Sequence, residues 1–169
     1  MTPMSEITVR RALPGELAEL GELTVAAYQA DGLLGHDAGE SYAGELRDAA
    51  HRAEHAELLA AVDASGSLLG TVTVAAHGSH YAEISREGEL EFRMLAVAER
   101  ARGRGVGEAL TRAVLDQARE LGASRVVLCS LAAMKTAHRL YERLGFRRLP
   151  ERDWTPVPGV TLLAYALEL

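Results

Sequence analysis

This 169-residue sequence is short of three things: cysteine, long apolar runs and positive charge. Cys129 is the only cysteine, so no intramolecular disulfide can form, and nothing in the cysteine usage favours an oxidising compartment. No stretch approaches the roughly 18 to 20 apolar residues that a membrane span needs. The first residues, MTPMSEITVRRALPGE, lack the long apolar segment of a signal peptide. We therefore expect a cytoplasmic protein with no membrane partner.

The charge balance is acidic, with a formal net charge of −6 at pH 7. Such a balance gives no long-range attraction to nucleic acid, so we expect no nucleic-acid partner. The positive charges are unevenly distributed, however, because Arg100, Arg102 and Arg104 alternate along one short segment. This basic cluster predicts a site for a small anion.

The length and the hydrophobic content of 48% predict one globular domain over residues 1–169. Periodicity and turn residues predict eleven elements in the order β, α, α, β, β, β, α, β, α, β, β. The predicted strands are 6–12, 57–62, 68–76, 89–97, 124–131, 146–149 and 161–169. The predicted helices are 14–30, about 42–55, 106–121 and about 134–144, and the loops include 31–40 and 150–159. This order predicts an α/β fold with a mixed, mostly antiparallel sheet and helices on both faces.

The segment RARGRGVGEAL, residues 100–110, leads from a predicted strand directly into a predicted helix. The first N–H groups of a helix have no partner within the helix, and the helix dipole places partial positive charge there, so phosphate binds readily. The glycines at 103, 105 and 107 allow close approach of a ligand and permit positive φ. The segment therefore predicts a seat for a phosphate or diphosphate.

Two common phosphate-binding motifs do not fit this segment. Neither Lys-Ser nor Lys-Thr follows the glycines, which excludes a Walker A loop. A dinucleotide fingerprint that starts at Gly103 and Gly105 would require a third glycine where Glu108 stands. Ordinary P-loop and NAD-binding proteins are therefore excluded.

Residues 102–107, RGRGVG, instead match the motif Arg/Gln-x-x-Gly-x-Gly/Ala. Through this motif the chain resembles the GNAT superfamily of N-acyltransferases. LAVAERARGRGVGEALTRAVL is similar to that family's strand-loop-helix unit, and AHRLYERLGF at 137–146 is similar to its later helix-turn-strand signature. The element order agrees over nearly the whole chain. The resemblance implies a single GNAT-type N-acetyltransferase domain with acetyl-CoA as cosubstrate and no metal. It also implies direct transfer, in a ternary complex, to a primary amine of a small molecule or peptide.

The resemblance assigns the cofactor-binding residues one by one. The strand ending at Val97 is expected to bond the pantetheine arm through its main chain, and the loop N–H groups are expected to hold the diphosphate. The residues so assigned are Leu95, Val97, Arg102, Gly103, Arg104, Gly105, Val106 and Gly107. Relatives place an asparagine three residues before the alanine that begins the later signature, and here that position is Met134. That contact is therefore not carried over.

Two residues are candidates for the acid-base chemistry. By the resemblance, Tyr141 protonates the departing thiolate; thiol and phenol have reference pKa values of about 8.5 and 10, so the transfer is uphill by roughly 2 kcal/mol. A lysine-like amine must first lose a proton, which costs on the order of 4.6 kcal/mol at pH 7. Glu91 lies on strand 89–97, where relatives carry a glutamate that acts as base through water. A solvated or ion-paired carboxylate beside Arg93 is the alternative for Glu91.

Other chemically capable residues carry weaker signals. Cys129 lies in an apolar strand and is expected to be a core residue. His138 and Trp154 are candidates for lining the cleft or the acceptor pocket. The spacing of His51 and His55 fits one helix face but matches no zinc motif.

Two other functions stay open from the sequence: a non-catalytic acyl-CoA-binding sensor and an α/β nucleotide-phosphate-binding protein. The sequence also leaves the acceptor and the oligomeric state open, a homodimer included.

Overall fold

The computed structural model describes residues 6–34 and 37–169. The helices are α1 (Leu17–Ala30), α2 (Asp37–Arg47), α3 (Ala49–His55), α4 (Val106–Glu120) and α5 (Lys135–Arg143). The strands are β1 (Thr8–Arg11), β2 (Glu57–Val62), β3 (Leu68–Ala76), β4 (Glu89–Val97), β5 (Arg125–Leu131), β6 (Arg147–Arg148), β7 (Trp154–Val157) and β8 (Val160–Glu168). Short 3-10 helices cover Pro14–Glu16, Glu99–Ala101 and Pro150–Arg152.

The strands of the described chain form one sheet in the order β1-β2-β3-β4-β5-β8-β6, and β7 pairs with β8. Strand β4 runs parallel to β5, whereas β1–β2, β2–β3, β5–β8, β6–β8 and β7–β8 are antiparallel. The predicted α/β class with a mixed, mostly antiparallel sheet is therefore confirmed.

The chain divides into two compact units. The first unit consists of Met1–Val74 and Met94–Ala113, and the second of Ala75–Arg93 and Val114–Leu169. The boundaries fall inside β3, β4 and α4, so these three elements contribute residues to both units. The single domain over 1–169 stays a prediction.

The first unit is built around apolar side chains that are removed from solvent. They are Leu20, Ala49, Leu58, Ala60, Val62 and Leu68. Two glycines in this unit permit close packing of the backbone. A Cβ at Gly21 would lie 2.0 Å from the carbonyl oxygen of Arg47, and one at Gly70 would lie 2.7 Å from that of Ala96. Only glycine fits at such distances.

The second unit has an aromatic core beside β5. Phe92 packs edge-on against Tyr141 and Phe146, with ring centroids 5.9 and 6.2 Å away. Tyr141 also contacts Tyr165, with centroids 6.0 Å apart. These rings and the buried β5 residues Val126, Val127 and Leu128 form the core of the unit.

Two predicted segments differ from the structure. The single helix predicted over about 42–55 is two helices, because the Asp48 side chain accepts a bond from the His51 N–H (3.1 Å) and starts α3 anew. The predicted loop 31–40 contains the first turn of α2, while its residues 35 and 36 lie outside the described part. The predicted loop 150–159 contains β7, which turns into β8 through Pro158 and Gly159, whose φ is +83°.

Candidate active site

The glycine-arginine segment joins the end of β4 to the start of α4. The first bond into the helix runs from the Ala109 N–H to the Gly105 carbonyl at 3.0 Å. The N–H groups of Val106 and Gly107 precede this bond at the start of a 15-residue helix, so they have no helical carbonyl to bind. The helix dipole favours negative charge at this end.

Two glycines shape the backbone before the helix. Gly103 and Gly105 have φ values of +79° and +81°, in the left-handed region. A Cβ added at either position would meet no atom within 4 Å. The loop therefore has open space beside its backbone together with free helix-terminal donors, which suits a diphosphate group.

The three arginines of the loop lie against other parts of the first unit. Arg100 donates to the Leu68 carbonyl at 2.5 Å, and Arg102 pairs with Asp31 at 2.7 Å. Arg104 lies near Asp63, whose carboxyl pKa is lowered mainly by a bond from the Ser65 hydroxyl and, to a smaller extent, by the charge of Arg104. Two arginines of the predicted basic cluster, Arg100 and Arg102, are therefore bound to other parts of the protein and hold the loop in place.

Strand β4 changes character at Met94. Its parallel pairing with β5 runs from Glu89 to Phe92. Met94 has a φ of +55°, which is rare for a side chain of its size and interrupts the regular strand. Leu95 and Val97, both half-buried, follow this interruption. Their main chain is the part of β4 assigned to pantetheine by the resemblance.

Glu91 is fully buried and binds the chain segment that precedes β4. Its Oε1 accepts the N–H groups of Glu83, Ile84 and Ser85 at 2.9–3.0 Å, and its Oε2 lies 3.1 Å from the Glu83 nitrogen. A buried carboxylate needs such donors because it has lost its hydration. Glu91 therefore holds the 83–85 turn, and Oε2 keeps acceptor capacity.

Further ion pairs fasten the same segment. Arg93 binds Glu83 at 3.1 Å, and Arg152 binds Glu89 at 2.5 Å and the Ile84 carbonyl at 3.2 Å. Burial opposes ionisation of Glu89, but the bond from Arg152 outweighs it and leaves the carboxyl pKa lowered. Sequence reasoning missed these contacts, because no local motif marks partners so far apart in the chain.

Tyr141 is buried in the aromatic core of the second unit and is 3% exposed. Its hydroxyl makes no hydrogen bond to the residues that the structure describes. Burial raises the pKa of the phenol, and Tyr165 adds a smaller contribution. The group is therefore a neutral proton donor without an internal acceptor.

One turn before Tyr141, the buried His138 lies 3.0 Å from the Ser130 hydroxyl through its Nε2. The same hydroxyl faces the Met134 sulfur at 3.6 Å. Burial lowers the pKa of the imidazole. Met134, at the position where relatives carry asparagine, therefore contacts Ser130 within the protein.

Cys129 and Trp154 are neighbours in the second unit. Burial raises the pKa of the Cys129 thiol to about 12, and the nearby Trp154 indole opposes only part of that rise. Such a thiol is almost entirely protonated at neutral pH and is a poor nucleophile. Cys129 is half-buried on β5, so the expected core role holds only in part.

The rings of His51 and His55 are tilted at 43° to each other, with centroids 4.3 Å apart. Residues 6–34 and 37–169 contain no group of three or more His, Cys, Asp or Glu side chains arranged to hold a metal ion. No helix in the same ranges is long and apolar enough to cross a membrane. His36, outside these ranges, is not described.

Comparison with solved structures shows the fold. A GCN5-related N-acetyltransferase from Kribbella flavida superposes with a TM-score of 0.71 at 24% identity, covering 99% of this chain and 100% of that one. The PaiA N-acetyltransferase from Thermoplasma acidophilum, in complex with coenzyme A, gives a TM-score of 0.75 at 14% identity, covering 96% and 99%. The chain therefore has the fold of this class of acyltransferases.

The sequence defines the family more closely. The model of the acetyltransferase (GNAT) family matches residues 19–146, and the chain belongs to that family. The N-acetylaspartate synthetase of Danio rerio is 42% identical over 79 residues, which cover 46% of this chain and 28% of that protein. This chain thus matches about a quarter of that relative's length. The predicted family and the prediction of an acyltransferase enzyme are confirmed.

Proposed function

We propose that the protein transfers an acetyl group from acetyl-CoA to a primary amine of a small molecule or peptide, directly and in a ternary complex. The observation that carries this proposal is the open glycine backbone before α4, where Gly103 and Gly105 have left-handed φ and helix-terminal N–H groups follow. The family membership supports the same chemistry.

The loop would hold the diphosphate through its main chain. The N–H groups of residues 103–107 and the positive end of the α4 dipole would bind the anion, and no Cβ stands at Gly103 or Gly105 to obstruct it. The main chain of Leu95 and Val97 would bond the pantetheine arm. When bound, acetyl-CoA supplies the acetyl group as a reactive thioester.

Tyr141 would deliver a proton to the sulfur as the acetyl group leaves. Its raised pKa keeps the phenol protonated at neutral pH, and its hydroxyl has no acceptor among the described residues. Burial also raises the pKa of thiols, as Cys129 in the same unit illustrates. A desolvated sulfur and the buried phenol therefore stay close enough in proton affinity for transfer.

Glu91 or a water relay would remove the proton from the amine. The Glu91 Oε1 is occupied by three backbone donors, so a base role falls to Oε2, to which only the Glu83 N–H binds among the described residues. In Glu91→Gln the amide nitrogen would replace one carboxylate oxygen. Activity that persists in Glu91→Gln would favour the water relay.

The acceptor is proposed only as a class. The relative from Danio rerio is named for the synthesis of N-acetylaspartate, so aspartate belongs in an acceptor screen. Other amino acids, aminoglycosides, polyamines and peptide N-termini complete the screen, and release of free thiol reports turnover. Turnover with one of these amines would define the acceptor.

The deciding experiment compares Tyr141→Phe with Tyr165→Phe, since each removes one buried phenol hydroxyl from the same aromatic core. We expect Tyr141→Phe to lower kcat by about 100-fold, the usual scale for a lost general acid, with acetyl-CoA affinity nearly unchanged. Tyr165→Phe should keep kcat within a few fold. Equal rates for wild type and Tyr141→Phe would remove Tyr141 from the mechanism.

Binding data separate this function from the two alternatives. A ligand present at 100 times its Kd adds roughly 2.7 kcal/mol to the free energy of unfolding. Stabilisation by acetyl-CoA and CoA but not by ATP is expected. Stabilisation by ATP alone would favour the nucleotide-binding protein, and acetyl-CoA binding without turnover on any amine would favour the sensor.

A further inference from the structure

The guanidinium of Arg102 is occupied by the end of helix α1. Its two terminal nitrogens donate to the two carboxylate oxygens of Asp31 at 2.7 and 3.3 Å, and one of them also donates to the Ala27 carbonyl at 3.3 Å. The Arg102 backbone N–H donates to the Glu99 carbonyl at 3.3 Å. Arg102 is thus bound to the protein through both its side chain and its main chain.

Asp31 is an unusual residue for its position. It follows the last residue of α1, where the helix dipole is negative and a carboxylate is unfavourable. The forked contact with Arg102 compensates for this, since a bidentate arginine-carboxylate pair is among the stronger surface interactions. The Arg102–Asp31 pair itself therefore carries no net charge.

We propose that Arg102 is a positioning residue for acetyl-CoA that acts by neutralising Asp31, whose carboxylate would otherwise repel the diphosphate. The pair ties the start of the glycine loop to α1, and Arg102 screens the carboxylate and the negative helix end from the diphosphate. The phosphates are then bound by the backbone N–H groups and not by the Arg102 side chain. This inference rests on the proposed function, because it assumes that the loop holds the diphosphate.

A double-mutant cycle measured by calorimetry with CoA tests the inference. Arg102→Ala removes the tie and exposes the Asp31 charge, so we expect CoA affinity to fall about tenfold or more. Asp31→Asn keeps one acceptor and removes the charge, so affinity should change less than about threefold. In Asp31→Asn/Arg102→Ala the exposed charge is gone, and affinity should recover at least about threefold relative to Arg102→Ala.

Three results would overturn the inference. If Arg102 were an independent phosphate ligand, Arg102→Ala would weaken binding by the same factor in the wild-type and Asp31→Asn proteins. If Asp31 merely aimed Arg102 at the phosphate, the double variant would bind as weakly as Arg102→Ala. Dephospho-CoA, which retains the diphosphate, should show the same pattern as CoA; an effect seen with CoA alone would place Arg102 at the 3′-phosphate instead and also overturn the proposal.

The pair Arg47 and Glu22 is a matched control. It is a surface arginine-carboxylate pair in the same unit, with the Arg47 Nε 2.9 and 3.2 Å from the two carboxylate oxygens, and it lies outside the glycine loop. Its alanine and glutamine variants should leave CoA affinity unchanged. Thermal unfolding without ligand reports folding of every variant, and Arg102→Gln replaces Arg102→Ala in the cycle if the latter does not fold.

Turnover measurements distinguish a failure of this inference from a failure of the proposed function. For Asp31→Asn and the double variant, only the KM for acetyl-CoA should move, while kcat at saturation stays within about twofold. Wild-type protein that binds no CoA would refute the proposed function itself. Wild-type binding and turnover, combined with no dependence of the Arg102→Ala effect on residue 31, would refute the inference alone.

Discussion

Gly105 combines a backbone requirement and an electrostatic one in a single residue. Its φ of +81° favours glycine, and asparagine and aspartate are the side chains that tolerate such a value best. Nothing lies within 4 Å of an added Cβ, so a substitution meets no protein atom. Any loss of ligand binding therefore comes from what the new side chain does to the ligand.

We predict that Gly105→Asp weakens CoA binding at least about tenfold more than Gly105→Asn. The two variants share size and backbone strain, and only aspartate brings negative charge to the diphosphate seat. Calorimetry at low and high salt measures the difference, which should shrink as salt screens the charge. Equal affinities for the two variants would show that no anion binds here.

His138 should make the stability of the protein depend on pH. Burial lowers its pKa below the usual 6.5, helped by the charges of Lys135 and Arg148, while the Leu131 carbonyl and Glu142 act in the opposite direction. The unfolded chain therefore binds more protons than the folded one between the two pKa values. The contribution of His138 is complete above pH 6.5 and is lost as pH falls toward the folded-state pKa.

The check is thermal unfolding of wild type and His138→Gln between pH 5 and 8. Glutamine can still donate a hydrogen bond to Ser130 but does not titrate. We expect the difference in Tm between the two proteins to favour wild type near pH 7.5 and to shrink toward pH 5. A constant difference over this range would mean that His138 does not couple stability to pH.

The candidate site was predictable where its chemistry is local. Gly103, Gly105 and the start of α4 are adjacent in sequence, so spacing alone predicts the anion seat. Asp31 and the 83–85 turn were missed, because their partners lie 71 and 6 to 8 positions away and are brought together only by folding. Glu91 as a base, Tyr141 as an acid and the cofactor-binding assignments stay predictions.

At the scale of elements, strands and helices were predicted well where periodicity is strong. The predicted ranges 57–62, 68–76 and 89–97 match β2, β3 and β4. The break between α2 and α3 was missed, because an aspartate at position 48 is equally compatible with the surface of one continuous helix and with the N-cap of a new one. Strand β7 was missed because the three prolines of segment 150–159 are typical of a loop, whereas the pairing with β8 makes residues 154–157 a strand.

Two helical glycines should respond oppositely to the same change. A Cβ at Gly21 of α1 would lie 2.0 Å from the Arg47 carbonyl oxygen, whereas one at Gly44 of α2 would meet nothing within 4 Å. We expect Gly21→Ala to lower the free energy of unfolding by about 1–3 kcal/mol. Gly44→Ala should raise it by roughly 0.5–1 kcal/mol, because alanine favours the helix. Denaturant unfolding measures both, and a neutral Gly21→Ala would contradict the close helix contact.

At the scale of the whole molecule, the boundaries between the two compact units fall within β3, β4 and α4. Two strands and a helix that each contribute to both units cannot melt in one unit and stay intact in the other. We therefore predict a single unfolding transition, as expected for one domain. Calorimetric and van't Hoff enthalpies should agree within error; two resolved transitions would divide the chain into independent domains.

The half-buried thiol of Cys129 has a practical consequence for rate measurements on this protein. With a pKa of about 12, well under a thousandth of it is thiolate at pH 8, and the chain has no other cysteine. A disulfide dye such as Ellman's reagent reacts only with thiolate, so the folded catalyst contributes almost no background colour. Absorbance then counts released coenzyme directly, and the same dye reports denaturation as one newly reactive equivalent per chain.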